Sequence, residues 1–159
     1  RIKTENYYFV DKTKYIEKLE NLNERFLMFL RPRRFGKSLF LAVLEGYYDR
    51  YYKKDFEVMF GDTYIGKNPT KEKNSYLVMR FDFSMIDIND VENSFSKYLL
   101  TELQFFIDKY NLKIKLDNNP IVLFSNIFKY LKEQNLPLYL MIDEYDNFTN
   151  KLLLQSKDK

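Results

Sequence analysis

The stretch RPRRFGKS, residues 31 to 38, decides how this chain is read. It follows the apolar run FLMFL at 26–30 and precedes a segment with helical periodicity. Its ending, Gly36-Lys37-Ser38, is that of a loop that wraps backbone N–H groups around phosphates where a strand gives way to a helix. Its beginning is not, because position 31, where the usual pattern has glycine, is arginine. Each residue of the ending has a mechanical reason. Gly36 reaches backbone angles closed to other residues. Lys37 carries a point charge to the β- and γ-phosphates, and Ser38 offers a hydroxyl to Mg²⁺. The same octet also reads as a basic surface turn with Arg33 and Arg34 solvated. The loop alone leaves both readings standing.

On either side the periodicity supports a strand-to-helix turn. Residues 25–30 form an apolar run of strand length. From Lys37 onward Phe40, Val43, Leu44, Tyr47, Tyr48 and Tyr51 recur at helical spacing, which predicts a helix to about residue 52. Upstream, residues 7–10 are β-prone, and Asp11 stands where it would cap a helix over 12–22. Residues 61–75 carry two of the four glycines and a proline, and they read as a loop. A second strand is expected over 76–83. Asn89 and Glu92 resemble a capping box ahead of a long helix with Phe95, Tyr98, Leu99, Leu103 and Phe106 on one face. Asn119-Pro120 starts another helix. A third apolar strand, 138–142, ends in Asp143-Glu144. Strands without strict alternation are buried on both faces, so the fold class expected is α/β, a parallel sheet covered by helices.

Composition removes several chemistries. The chain has 159 residues, which suits one domain, and its net charge of +3 is too mild to announce a nucleic-acid binder. It contains no cysteine and no histidine. Disulfides, thiolate or imidazole metal sites and histidine acid–base catalysis are therefore excluded. No apolar stretch approaches a membrane span and no signal peptide is visible, so a cytoplasmic location is expected. The first residue is Arg rather than Met, which reads as a cut end.

Asp143 and Glu144 complete the constellation. Nucleotide hydrolysis needs one carboxylate at the tip of a strand to hold the Mg²⁺ shell and another to orient the attacking water. Asp143 fits the first task and Glu144 the second. Two acids at an exposed strand end are common by themselves. Together with Gly36-Lys37-Ser38, in this order and each on the expected element, they favour a nucleotide site.

The segments YYFVDKTKYIEKL, RPRRFGKSLFL, MRFDFS and LYLMIDEYDN appear in this order and spacing in the AAA-ATPase-like proteins of bacteria, and from Tyr7 to Asn147 the chain resembles them. The octet with Arg31 departs from the general phosphate-loop pattern but not from that family's. The resemblance implies a three-layer P-loop NTPase-type fold, with the strand of Asp143 beside the strand that ends at Leu30. It implies ATP and Mg²⁺ as cofactors. Arg31, Pro32, Arg33, Arg34, Phe35, Gly36, Lys37, Ser38 and Leu39 would line the nucleotide, Ser38 and Asp143 would hold the metal, and Lys37 and Glu144 would act in catalysis. In that family a PD-(D/E)XK nuclease domain often follows, so nucleic acid is a further partner that the resemblance implies. Only thirteen residues remain after Asp146, and a strand carrying a polar sensor residue is not among them. Residues 1–159 are thus expected to be an incomplete, C-terminally truncated P-loop domain.

The function expected is ATP binding and Mg²⁺-dependent hydrolysis that drives or gates a partner domain. The alternatives are a non-hydrolysing nucleotide switch and a nucleic-acid module that uses the basic loop. Other residues have plainer readings. Arg33 and Arg34 either clamp phosphate or are solvated. Asp82 is read as a turn acid, Asp146 as the partner of an arginine, and the mixed-charge loop 67–73 as solvated. Tyr7 and Asp11 are candidates for a base pocket through family position alone.

Overall fold

The structure, a computed structural model, describes residues 10–30, 35–87, 90–146 and 149. They divide into two compact units that meet in sequence at Tyr76 and Leu77.

The first unit is helical. It contains α1 (Lys14–Asn21), α2 (Lys37–Tyr48), a 3-10 turn (Arg50–Lys54), α3 (Phe56–Phe60) and α4 (Tyr64–Lys67). Each helix buries apolar residues: Ile16 from α1, Leu44 and Tyr47 from α2, Phe56 and Phe60 from α3, and Ile65 from α4. The Tyr47 ring meets Phe60 edge-on at 5.8 Å, and Phe56 stacks on Phe60 at 5.2 Å. Asp11 does not cap α1, since the N-cap is Thr13. Asp11 instead braces that cap: its Oδ1 accepts from Thr13 N at 2.8 Å and its Oδ2 from Tyr64 N at 2.7 Å. Thr13 Oγ1 accepts from Ile65 N, so both residues tie α1 to α4.

Further expectations are corrected in this unit. Residues 26–30 form no strand; Phe26 is 93% exposed, and only Phe29 is partly covered, edge-on to Phe40 at 5.6 Å. An apolar run becomes a strand only with a ladder partner, and the described residues of this unit offer none. The loop expected at 61–75 contains α4, which Thr63 caps by accepting from Gly66 N. Its lysine-rich end is not wholly solvated, because Thr70 is bonded to Tyr47 and Glu20 and Lys73 Nζ lies over the Phe56 ring. Helix α2 stops at Tyr48 rather than near residue 52, where Asp49 turns extended and accepts from Tyr51 N.

The second unit contains β1 (Leu77–Asp82), a 3-10 turn (Phe83–Met85), α5 (Val91–Lys109), α6 (Pro120–Glu133) and β2 (Leu138–Asp143). The strands are parallel, paired from Leu77↔Leu138 to Asp82↔Asp143. Parallel pairing requires a crossover, and the two helices supply it. Leu77, Met79 and Phe81 of β1 pack with Leu103, Phe106 and Ile107 of α5 and with Leu123, Ile127 and Leu131 of α6. Asn119 caps α6 ahead of Pro120 by accepting from Ile121 N and Val122 N. Asn111 and Asn135 take left-handed angles just past α5 and α6, a common way to end a helix. The N–H groups of β1 at Val78 and Asp82 do not go unpaired: they donate to the hydroxyls of Tyr110 and Tyr98 at 2.8 and 2.6 Å.

The expected mixed α/β class with parallel strands is thus present as a two-stranded sheet flanked by helices. The partner of β2 among the described residues is β1, and residues 26–30, expected beside it, form no strand. Strand β2 also buries one face rather than two. Met141 and Asp143 are buried, while Leu140 and Ile142 stay 43% and 44% exposed.

Candidate functional site

The sequence-derived site residues fall on both units, and Arg31, Pro32, Arg33 and Arg34 lie outside the described residues. In the first unit Gly36 is the N-cap of α2, with φ 76° and ψ 26°. A Cβ there would meet nothing within 4 Å, so the backbone angle requires glycine and space does not. Lys37 is the first residue of the helix and is half-buried, whereas Phe35, Ser38 and Leu39 are exposed. The first intrahelical bond runs from Phe40 N to Gly36 O at 2.9 Å. The N–H groups of residues 37–39 therefore precede the helical ladder, and the N-cap, being glycine, has no side chain to cap them. That leaves a set of donors, reinforced by the helix dipole, beside a lysine and a serine.

In the second unit Asp143 ends β2. It is 3% exposed, and both carboxylate oxygens are engaged. Oδ2 lies 3.2 Å from Arg80 Nη2, and Oδ1 accepts from Glu144 N at 3.1 Å. Glu144 has φ 56°; the other non-glycine residues at positive φ among the described residues are asparagines, which tolerate that region far better. A glutamate held there marks a sharp exit from the strand, with strain of about 1 kcal/mol or more. Asp82, the ladder partner of Asp143, accepts from Ser84 N, the turn role read from sequence. Among the described residues Asp146 shows no arginine partner, and its Oδ1 is buried without a hydrogen bond; Arg31, Arg33 and Arg34 lie outside those residues.

Arg80, Tyr98 and Glu102 were not singled out by sequence. Arg80 had a signal, being a charge inside an otherwise apolar strand, which requires a partner. Tyr98 and Glu102 lie on α5, whose apolar periodicity hides them. Burial raises the Glu102 carboxyl above its ordinary value, and the Asp82 charge adds to this. Burial also raises the Tyr98 hydroxyl, outweighing the hydrogen bond from Asp82 N.

Among the described residues no three acidic groups converge as a metal cage. With neither histidine nor cysteine in the chain, any metal must be held by oxygen donors, the ligands that Mg²⁺ takes. No described helix is long and apolar enough to cross a membrane.

A family model described as AAA-ATPase_like, Predicted AAA-ATPase, matches residues 1–159. No curated protein and no solved structure matches the chain significantly.

Proposed function

The chain belongs to the predicted AAA-ATPase family, and from that premise we propose that it binds ATP with Mg²⁺ and hydrolyses it, as part of a P-loop domain that drives or gates a partner domain. The observation that carries this reading is Gly36, held at φ 76° as the N-cap of α2 directly before Lys37 and Ser38. That angle lets the backbone turn so that successive N–H groups ahead of the helix face one anion, beside a lysine and a serine.

The roles follow from side-chain chemistry. The uncapped N–H groups of residues 37–39 donate to phosphate oxygens, and Lys37 balances their charge. Ser38 and Asp143 are the residues that would hold Mg²⁺, which would supply positive charge to the phosphates. Glu144 accepts a hydrogen bond from the attacking water and orients it. Arg31, Pro32, Arg33, Arg34, Phe35 and Leu39 complete the loop around the nucleotide. Nucleic acid enters through a nuclease partner domain, the kind of partner that the sequence resemblance implies.

Calorimetry of ATP with Mg²⁺ on the wild type and on Lys37→Ala tests the reading. Micromolar binding that the variant loses supports it. Equal affinity in both sinks it.

A further inference from the structure

We propose that Arg80 is a counter-ion that competes for Asp143: it pairs with the carboxylate while no cation is bound and yields it to Mg²⁺. The proposal rests on the nucleotide reading above.

Arg80 sits inside β1, and its ladder partner on β2 is Met141. Its guanidinium reaches two residues further along the neighbouring strand, so that Nη2 lies 3.2 Å from Asp143 Oδ2. Such diagonal contacts lie within reach of a long side chain on the same face. The two partners differ in exposure. Asp143 is 3% exposed and Arg80 is 25% exposed. The anion is therefore fixed inside, while the cation has a path to water along its own apolar stem.

Asp143 also faces a like charge. Its direct ladder partner is Asp82, and acids opposite each other in a ladder repel. A buried carboxylate in that position needs a positive partner at all times. Arg80 provides one in the cation-free chain. Meanwhile the bond from Glu144 N to Oδ1 holds the plane of the carboxylate. Exchange on Oδ2 then leaves the orientation of Asp143 unchanged.

The test uses the whole chain with a fluorescent, non-hydrolysable ATP analogue, titrated with Mg²⁺. A second readout is the Nε–H resonance of Arg80. With its competitor removed, Arg80→Gln should bind the analogue at several-fold lower Mg²⁺ than wild type. Arg80→Lys keeps the competing charge and should retain the wild-type midpoint. The Arg80 resonance should move when Mg²⁺ joins the nucleotide. An unchanged or raised midpoint in Arg80→Gln overturns the proposal, as does a midpoint in Arg80→Lys lowered as far as in Arg80→Gln. If Arg80→Gln does not fold, a wild-type Arg80 resonance unmoved by Mg²⁺ overturns it. If the wild type binds no analogue, or binds it independently of Mg²⁺, the underlying nucleotide reading fails and the proposal falls with it.

Discussion

Arg80 and Asp143 are joined across the parallel ladder at 3.2 Å, with the acid far more deeply buried than the base. This asymmetry makes the two truncations unequal. Arg80→Leu strands a buried carboxylate opposite Asp82 and should lower unfolding stability by about 3 kcal/mol. Asp143→Asn keeps an oxygen for Glu144 N and leaves Arg80 able to turn towards water, so its cost should be nearer about 1 kcal/mol. Urea unfolding of both variants measures the difference. Equal losses would show that burial does not decide the energetics of this pair.

Glu144 separates stability from turnover. Glu144→Gln should bind ATP like wild type and fail to hydrolyse it, because an amide no longer orients the attacking water as a carboxylate does. Glu144→Gly should also be inactive yet more stable by about 1 kcal/mol, since glycine takes φ 56° without strain. Hydrolysis assays and melting curves on the two variants test this. A glycine variant less stable than wild type would count against strain at this residue.

Glu102 gives a pH dependence. Burial and the charge of Asp82 raise its carboxyl above the ordinary 4.5, so the folded chain holds this proton more tightly than the unfolded one. The stabilisation is complete below about pH 4.5 and is lost as pH rises through the folded value. Glu102→Gln should therefore be more stable than wild type at pH 7, with the gap closing towards pH 4. Denaturant melts across that range report it. A gap that widens on acidification would reverse the sign.

Two glycines of the first unit should respond differently to alanine. At Gly66 an added Cβ would lie 1.8 Å from the backbone oxygen of Phe60, which is held in place by hydrogen bonds from Thr63 N and Thr63 Oγ1. Gly66→Ala should cost more than about 2 kcal/mol. At Gly46 the nearest atom is the terminal methyl of Met59, 2.6 Å away on a flexible side chain. Gly46→Ala gains helix propensity worth about 1 kcal/mol and should be close to neutral. Comparable losses in both would show that Met59 is as rigid as backbone.

Helices and strands with strong local signals were legible in the sequence. The Asn119-Pro120 start, the apolar face of α5 and the length of β1 all appear where periodicity places them. The acidic end of β2 and the special angle of Gly36 were legible too, because residue type alone points to them. Three kinds of feature were not. Residues 26–30 carry every mark of a strand, but strand formation depends on a partner that local sequence does not encode. Helices α3 and α4 are only five and four residues long, too short for a period to register. The tyrosine hydroxyls on Val78 and Asp82 come from helix positions that read as ordinary core aromatics, and only the fold reveals what their polar ends touch.

The register of the parallel ladder also has a consequence in time. Residue 77 must find residue 138, and residue 82 must find residue 143, so the sheet closes a loop of roughly sixty residues. Closing such a loop costs about 4 kcal/mol of chain entropy before any ladder bond repays it. The contacts between α5 and α6 span a much shorter stretch of chain and so can form first. The helical hairpin can then bring the two strands together, and the acidic tip forms with the ladder that it ends. A substitution buried between the helices, such as Leu123→Ala, should delay the appearance of that tip on refolding although it touches no residue there.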